Sequence, residues 1–133
     1  MTETSPTIEK RLRRRWILMS ADEAMARRLR EATPPGWEMV RATDLEAVGP
    51  WHEILLHRFL VLDLDEAEAF DPLDVIYLIR REHMLNIPVF CFGGDEALRE
   101  EMRLARADRF FSRDEMVAML ARFCEQYGWG GEG

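Results

Sequence analysis

The sequence predicts an α/β fold in which a five-stranded parallel sheet carries helices on both faces. Short apolar runs alternate along the chain with segments whose apolar residues recur at helical spacing, which is typical of strands connected by helices. The runs are apolar at every position, as expected for strands that are covered on both sides. With 133 residues, of which 47% are hydrophobic, the chain is long enough for one domain with its own core, and a second domain is not expected.

The first half of the chain predicts two strands and two helices. Residues 16–19 form a compact apolar run suited to a central strand, and Ser20 or Asp22 is placed to cap the helix that follows. The apolar residues of that helix share one face: Met25, Leu29 and Ala32. A second strand is expected over residues 37–42, and the short helix after it is interrupted by the Gly-Pro pair at 49–50.

The second half repeats this alternation and places a carboxylate at the end of a strand. Residues 59–62 are fully apolar and run directly into Asp63, so this strand carries an ionisable group to the rim of the sheet, where open α/β folds place their sites. The later elements are a helix from Pro72, a strand over 89–92, a helix from Asp95 to about Ala105, a strand over 109–111 and a helix from Ser112 or Asp114 to Tyr127.

Composition and charge argue against several function classes. The formal net charge of -7 opposes general binding to nucleic acid, because the phosphate backbone would be repelled. The sequence has no apolar run near the roughly 20 residues needed to cross a bilayer. Cys91 and Cys124 lie in separate apolar segments, without the spacing of a metal site or a disulfide framework. We therefore expect a cytoplasmic protein with buried, reduced thiols that binds neither nucleic acid nor membranes.

Three segments are predicted along the chain. A polar and basic leader covers residues 1–14, the domain covers 15–127, and a flexible glycine-rich tail, with a loosely packed Trp129, covers 128–133. A run of cations spans the end of the leader and the first residue of the domain; it is either solvated or docked on an anionic surface, and both interpretations stay open. The run consists of Lys10, Arg11, Arg13, Arg14 and Arg15.

In order and spacing these segments resemble the receiver domain of two-component response regulators, and the resemblance covers roughly residues 15–127. The segments that carry it are residues 16–22, 59–64, 86–92 and 107–111, the last being similar to the family's Ala-Asp-Asp-Tyr-Leu. The resemblance implies a flavodoxin-like (CheY-like) fold with strand order 2-1-3-4-5. It also implies that Asp63 occupies the position that accepts a phosphoryl group from a histidine kinase.

Several positions of the family's phosphorylation pocket are altered in this chain. Acyl phosphate formation needs a divalent cation, which the family holds with an acidic pair after the first strand. Ser20 and Ala21 take those positions here, and only the next residue, Asp22, is acidic. Gly93 replaces the hydroxyl residue that bonds the phosphoryl oxygen, and Arg113 replaces the lysine, which is not a neutral exchange in a tight pocket.

The surroundings of Asp63 allow two interpretations. Either Asp65 or Glu66 completes an altered metal site with Asp22 and Asp63, or both are solvated loop residues while Asp63 pairs with Arg113. A close guanidinium is expected to lower the pKa of Asp63. Phe110 takes the position of the family's switch aromatic, without a hydroxyl.

The leading hypothesis is therefore a degenerate pseudo-receiver, a bacterial signalling module that acts by protein–protein interaction. It would work without a cofactor, enzymatic activity or aspartyl phosphorylation. The alternative is a stand-alone response regulator phosphorylated on Asp63, with Mg²⁺ held by Asp22, Asp63 and Asp65 and with Arg113 as the cation.

A third class, a small α/β enzyme or a nucleotide-binding protein that cradles phosphate at residues 93–95, is disfavoured because the segment lacks Lys, Ser and Thr and because Asp95, Glu96 and Glu100 would repel phosphate. The three histidines, His52, His57 and His83, are expected on helical surfaces and form no metal pattern.

The resemblance also suggests a surface for a protein partner or a homodimer. Receiver domains pair through the fourth helix, the fifth strand and the fifth helix. The corresponding candidates, each of which is otherwise an ordinary exposed charge, are Glu100, Arg103, Arg106, Arg109 and Arg122.

Overall fold

A computed structural model describes residues 12–129, and within this range the chain forms one parallel sheet of five strands. The strands are β1 (Arg14–Met19), β2 (Trp37–Ala42), β3 (Leu60–Asp63), β4 (Val89–Phe92) and β5 (Arg109–Phe111). Their order is β2-β1-β3-β4-β5, and every neighbouring pair is parallel. The predicted fold class and the predicted strand order are confirmed.

The helices of the described range are α1 (Glu23–Ala32), α2 (Leu45–Val48), α3 (Trp51–Ile54), α4 (Pro72–Tyr77), α5 (Glu96–Leu104) and α6 (Arg113–Gln126). A π-helical segment, Leu78–Glu82, continues α4. The second predicted helix is divided into α2 and α3, because Gly49 takes a φ of 143° that ends one helix and Pro50 begins the next. The predicted fourth and fifth helices are therefore α5 and α6.

The two faces of the sheet pack against different clusters of side chains. Along β1, Ile17 and Met19 point into an aliphatic cluster shared with α4 and α5, whereas Trp16 and Leu18 point into a cluster shared with α1 and α6. The second cluster is rich in aromatic rings, including Phe59, Phe90, Phe111 and Phe123. Since both faces are buried, the strands are apolar throughout, as the sequence predicts.

Helices α1, α4, α5 and α6 begin at the edge of the sheet where the strands end. Asp22, Asp71 and Asp95 each accept a hydrogen bond from a backbone amide in the first turn of the helix that follows. Ser112 and Glu115 form a capping box at the start of α6. This edge therefore collects polar side chains both from strand ends and from helix starts.

At the opposite edge, Arg80 is buried and satisfied by four hydrogen bonds. Its guanidinium donates to the carbonyl oxygens of Leu85, Ile87 and Arg106 and to the carboxylate of Asp108, which also accepts from the amide of Val89. These contacts fix the start of β4 relative to β5, and the four hydrogen bonds offset part of the cost of burying the charge, although burial still lowers the pKa of Arg80.

Some details differ from the sequence-based expectations. His57 is buried, its Nδ1 lies 3.0 Å from the carbonyl oxygen of Glu53, and burial lowers its pKa, so the predicted surface position is wrong. Trp129, expected to be loosely packed, is 53% exposed, and its recorded contacts are with Arg58, whose guanidinium stacks 3.9 Å from its ring centre and donates to its carbonyl oxygen.

Other expectations hold, or fall on residues that are not described. Cys91 and Cys124 are buried and free, as predicted. Strand β1 already begins at Arg14, within the predicted leader. Lys10, Arg11 and most of the predicted tail lie outside the described residues. None of the helices between Leu12 and Trp129 combines the length and the apolar character that a membrane span requires.

Candidate functional site

The ends of β1, β3 and β4 and the start of α6 meet around Asp63. Asp63 is the last residue of β3, is in register with Phe92 of β4, and is only 2% exposed. Ser20 follows β1 directly, Asp22 caps α1, and Arg113 is the first residue of α6. The parallel sheet thus brings together residues that are more than 90 positions apart in the chain.

The carboxylate of Asp63 accepts one hydrogen bond on each oxygen. The hydroxyl of Ser20 donates to Oδ2 at 2.7 Å, and the backbone amide of Asp65 donates to Oδ1 at 2.9 Å. The Ser20 oxygen in turn accepts from the amide of Asp22 at 3.1 Å. Ser20, which the resemblance identifies only as a lost acidic residue, therefore has a role of its own as a hydrogen-bond donor to Asp63.

Arg113 bridges three aspartates. Its Nη1 donates to Asp22 Oδ2 at 2.7 Å and its Nη2 donates to Asp65 Oδ2 at 3.1 Å. The distance from Nη2 to Asp63 Oδ1 is 3.8 Å, which makes an ion pair without a hydrogen bond. The expected contact between Arg113 and Asp63 is present, but the hydrogen bonds of Arg113 go to Asp22 and Asp65.

Burial has the largest effect on the pKa of Asp63. Desolvation raises the pKa of this carboxyl above its ordinary value, although the hydrogen bonds from Ser20 and the Asp65 amide and the charge of Arg113 act in the opposite direction. The guanidinium acts to lower this pKa, as expected, but burial has the larger effect, so the net shift is upward and the expected lowered pKa is wrong. At 3.8 Å, without a hydrogen bond, Arg113 does not offset the cost of holding a charge in a site that is closed to water.

Asp65 fills the space beside Gly93. A Cβ atom added to Gly93 would lie 2.2 Å from Asp65 Oδ2, so a side chain at this position would collide with the carboxylate. Asp65 Oδ1 accepts from the amide of Gly94 at 2.9 Å, and the amide of Gly93 donates to the carbonyl oxygen of Phe111. Both amides of this loop are engaged within the chain, which argues against a phosphate cradle at residues 93–95.

Each of the six carboxylate oxygens of Asp22, Asp63 and Asp65 accepts a hydrogen bond. Besides the bonds above, Asp22 Oδ1 accepts from the amide of Met25 at 3.1 Å. Mg²⁺ takes oxygen ligands in octahedral geometry, and here a guanidinium is bound to two of the three aspartates, so its charge opposes a second cation at the same oxygens. In this arrangement the residues do not fit a magnesium ion. Across residues 12–129, no three His, Cys, Asp or Glu side chains are grouped as metal ligands.

Arg99 is a residue that the sequence reasoning does not identify. Its Nε donates to the carbonyl oxygen of Gly93 at 2.9 Å, and its Nη2 donates to that of Phe111 at 3.0 Å. Together with the bond from the Gly93 amide to Phe111, these contacts tie α5 to the ends of β4 and β5. The sequence did offer a signal for this role, because Arg99 lies one turn into a helix that follows the glycine pair at 93–94.

The two remaining predicted site residues lie beside this cluster. Ala21 is exposed, at the start of the loop between β1 and α1. Phe110, at the position of the switch aromatic, is half-buried against the aliphatic cluster, and the guanidinium of Arg103 lies 5.3 Å from its ring centre.

By sequence, the chain matches no protein-family model and none of the curated proteins. By structure, it is similar to the Mn²⁺-bound form of the response regulator Rcp1, with a TM-score of 0.63 and 18% identity over 80% of this chain and 88% of the other. It is also similar to the phosphorylated cyanobacterial phytochrome response regulator RcpA, with a TM-score of 0.62 and 18% identity over 86% of this chain and 89% of the other.

A response regulator receiver domain from Rhodospirillum rubrum is a third similar structure, with a TM-score of 0.62 and 15% identity over 85% of this chain and 92% of the other. These likenesses extend over nearly the whole length of each neighbour, and they agree with the strand order described above. The chain therefore has the CheY-like fold of response regulator receiver domains.

The raised pKa of Asp63 predicts a pH-dependent effect of Asp63→Asn. A raised folded pKa stabilises the fold below the ordinary carboxyl value of 3.8, and this contribution is lost as the pH rises through the folded pKa. The asparagine variant is neutral throughout, so its stability relative to wild type should increase from acid to neutral pH. Urea unfolding at several pH values measures this difference, and Glu82→Gln on the exposed surface controls for the loss of one charge. A difference that decreases toward neutral pH would contradict the dominance of burial.

The contact between Asp65 and Gly93 predicts coupling between substitutions at the two positions. Gly93→Ala should lower the free energy of unfolding by about 1–3 kcal/mol, because φ is 76° and because the new methyl displaces Asp65 from Gly94 and Arg113. In a background that carries Asp65→Ala, Gly93→Ala has only its backbone cost. The double variant should therefore lose about 0.5–3 kcal/mol less unfolding free energy than the two single variants lose together. Gly36→Ala is the matched control, since φ there is 88° and nothing lies within 4 Å. Strictly additive losses would show that the two residues are not in contact.

Proposed function

We propose that this chain is a receiver-like module of a cytoplasmic signalling system that acts through protein–protein contacts. It has no enzymatic activity of its own and works without magnesium and without phosphorylation of Asp63. This proposal rests on one observation: groups of the chain itself, including the guanidinium of Arg113, donate hydrogen bonds to all six carboxylate oxygens of Asp22, Asp63 and Asp65.

The energetic argument concerns competition between Arg113 and a divalent ion. Arg113 is part of the chain, so its binding to Asp22 and Asp65 costs no translational entropy, whereas Mg²⁺ must shed tightly held water to enter. The guanidinium lies within 4 Å of all three carboxylates and balances part of their charge without having to enter from solvent. The internal cation is therefore favoured over an external one.

An incoming phosphoryl group would also meet an unfavourable surface at Gly93. In receiver domains a hydroxyl residue at this position bonds the phosphoryl oxygen, and here the adjacent space holds the carboxylate of Asp65. The carboxylate of Asp65 would repel the oxygens of a phosphoryl group placed beside Gly93, since both groups carry negative charge. The hydrogen bond that each oxygen of Asp63 accepts also draws electron density from it and makes it a weaker nucleophile.

The surface of α5, β5 and α6 is the best candidate for a partner protein. Leu104 is 76% exposed at the end of α5, next to Arg103, which covers Phe110 and pairs with Glu100. An exposed leucine beside an arginine and an aromatic ring is the composition expected of an interaction surface.

The other cations of this surface differ in their surroundings. Arg106 donates to the carbonyl oxygen of Arg80, and Arg109 packs over Phe111 and Phe123, so both also support the fold, whereas Arg122 is exposed. A homodimer through the same surface stays a prediction.

The alternative function is phosphorylation of Asp63 by a histidine kinase. The position of Asp63 at the end of β3 favours this alternative. Among the similar structures, Rcp1 is described as Mn²⁺-bound and RcpA as phosphorylated. Under this alternative Arg113, whose side chain is 35% exposed, would swing out and leave Asp22, Asp63 and Asp65 to a metal ion.

Treatment with acetyl phosphate and Mg²⁺, followed by intact-mass measurement, separates the two functions. We expect no added phosphoryl group on the wild-type chain, because Arg113 binds Asp22 and Asp65 where a metal ion would have to bind and because burial disfavours the charged form of Asp63. A receiver domain that is phosphorylated under the same conditions serves as the positive control, and Asp63→Asn locates any adduct. A stoichiometric phosphoryl adduct on wild type that is lost in Asp63→Asn would overturn the proposal in favour of the alternative.

A further inference from the structure

Two neighbouring grooves lie along the edge of the sheet where the strands end. The larger, of about 770 Å³, lies between the loop after β3 and the start of α5, and the smaller, of about 320 Å³, lies between the start of α2 and α4. Phe70 and Asp71 line both grooves, so the two form one continuous surface, which we call the double groove. Its lining includes none of the partner candidates named above on α5, β5 and α6.

The floor of the double groove is apolar. Leu45 and Leu64 are buried beneath it. Phe70 is half-buried where the two grooves meet, with Leu98 half-buried on the side of α5 and Leu78 half-buried on the side of α4. An aromatic ring among apolar neighbours is the composition found at the centre of protein interfaces. The floor is therefore suited to apolar side chains on both sides of Phe70.

The rim of the double groove is acidic. Its described lining includes no Lys or Arg. The stretch from Phe59 to Ile79, which supplies most of the lining, contains six carboxylates and no Lys or Arg. The carboxylates that line the two grooves are Asp44, Asp65, Glu66, Glu68, Asp71, Asp74 and Asp95.

Helix capping accounts for only part of this acidity. Asp44, Asp71 and Asp95 each cap a helix by accepting from a backbone amide, and they keep their charge because amides carry none. In contrast, Glu68 and Asp74 are exposed, and their carboxylates form no hydrogen bond or ion pair within the part of the chain that the structure describes. These two charges on the rim are therefore available to a partner.

We propose that the double groove binds a basic segment of a partner protein, in which apolar side chains are flanked by Lys or Arg. The apolar side chains would cover Phe70 and its neighbours, and the cations would face the carboxylates of the rim. A second copy of this chain is disfavoured as the occupant, because each copy has a formal net charge of -7 and the copies repel one another.

This inference goes beyond the proposed function. It assigns a partner chemistry to a surface other than that of α5, β5 and α6, and it does not depend on whether Asp63 is phosphorylated. Its failure would leave the surface of α5, β5 and α6 as the candidate for a partner, so the two proposals can fail separately.

Selection from a display library of random peptides, with the full wild-type chain as the target, tests the proposal. The selected peptides should be enriched in Lys and Arg and should each keep a large apolar residue. Synthetic copies of these peptides then give dissociation constants by fluorescence anisotropy. Their affinity should fall as salt rises, because part of the contact is electrostatic.

Two variants locate the binding of the selected peptides. Glu68→Gln/Asp74→Asn removes two rim charges without removing a helix cap, and it should weaken binding at least about threefold at low salt. Phe70→Ala removes the ring that both grooves share, and it should weaken binding at least about tenfold.

Matched controls lie outside the double groove and outside α5, β5 and α6. Glu31→Gln/Glu82→Gln makes the same change in net charge at two exposed residues. Met84→Ala removes an apolar side chain that is 82% exposed. Both controls should bind the selected peptides like wild type, and circular dichroism reports the folding of every variant.

Several results would overturn the proposal. One is a selection that yields no peptides or yields peptides without an excess of cations, and another is equal binding by wild type and the two groove variants. A loss in the charge control as large as in Glu68→Gln/Asp74→Asn would show that the peptides respond to net charge alone. Sedimentation velocity without peptide should find the same self-association in that groove variant as in wild type. A loss there would assign the double groove to a second copy instead.

Discussion

The guanidinium of Arg113 lies between Asp22, Asp63 and Asp65, and the chemistry of the sheet edge depends on that contact. It forms hydrogen bonds to Asp22 and Asp65, and it is the nearest positive charge to the buried Asp63. In a receiver fold this is where a divalent ion would have to bind. Because the cation belongs to α6, the same contact that closes the site also holds the start of α6 against α1 and the loop after β3.

The fold imposes this crowding of carboxylates. Parallel strands end at one edge, the helices that return along the sheet begin at the same edge, and helix starts favour acidic caps such as Asp22, Asp71 and Asp95. The edge therefore accumulates negative charge whether or not a metal is bound. Arg113 balances part of that charge, and the remainder is exposed in the groove beside the loop after β3.

The parallel sheet could be predicted from the sequence, because uniformly apolar runs such as residues 59–62 alternate with helical segments, and its strand order followed from the resemblance to receiver domains. Pattern and resemblance together also anticipated that Ser20, Asp22, Asp63, Gly93 and Arg113 would be neighbours. The direction of the Asp63 pKa shift could not be predicted, since it depends on a balance between burial and a guanidinium at 3.8 Å. The position of Asp65 over Gly93 depends on a loop conformation that no periodicity encodes.

Calorimetric titration with Mg²⁺, comparing wild type with Arg113→Ala, tests the central claim most directly. If the guanidinium occupies the place of the metal, removing it should free the oxygens of Asp22 and Asp65, and the variant should bind Mg²⁺ at least about tenfold more tightly than wild type. Adding Asp63→Ala to that variant should abolish the gain. Wild type that binds Mg²⁺ as tightly as Arg113→Ala, and loses that binding on Asp63→Ala, would contradict the account.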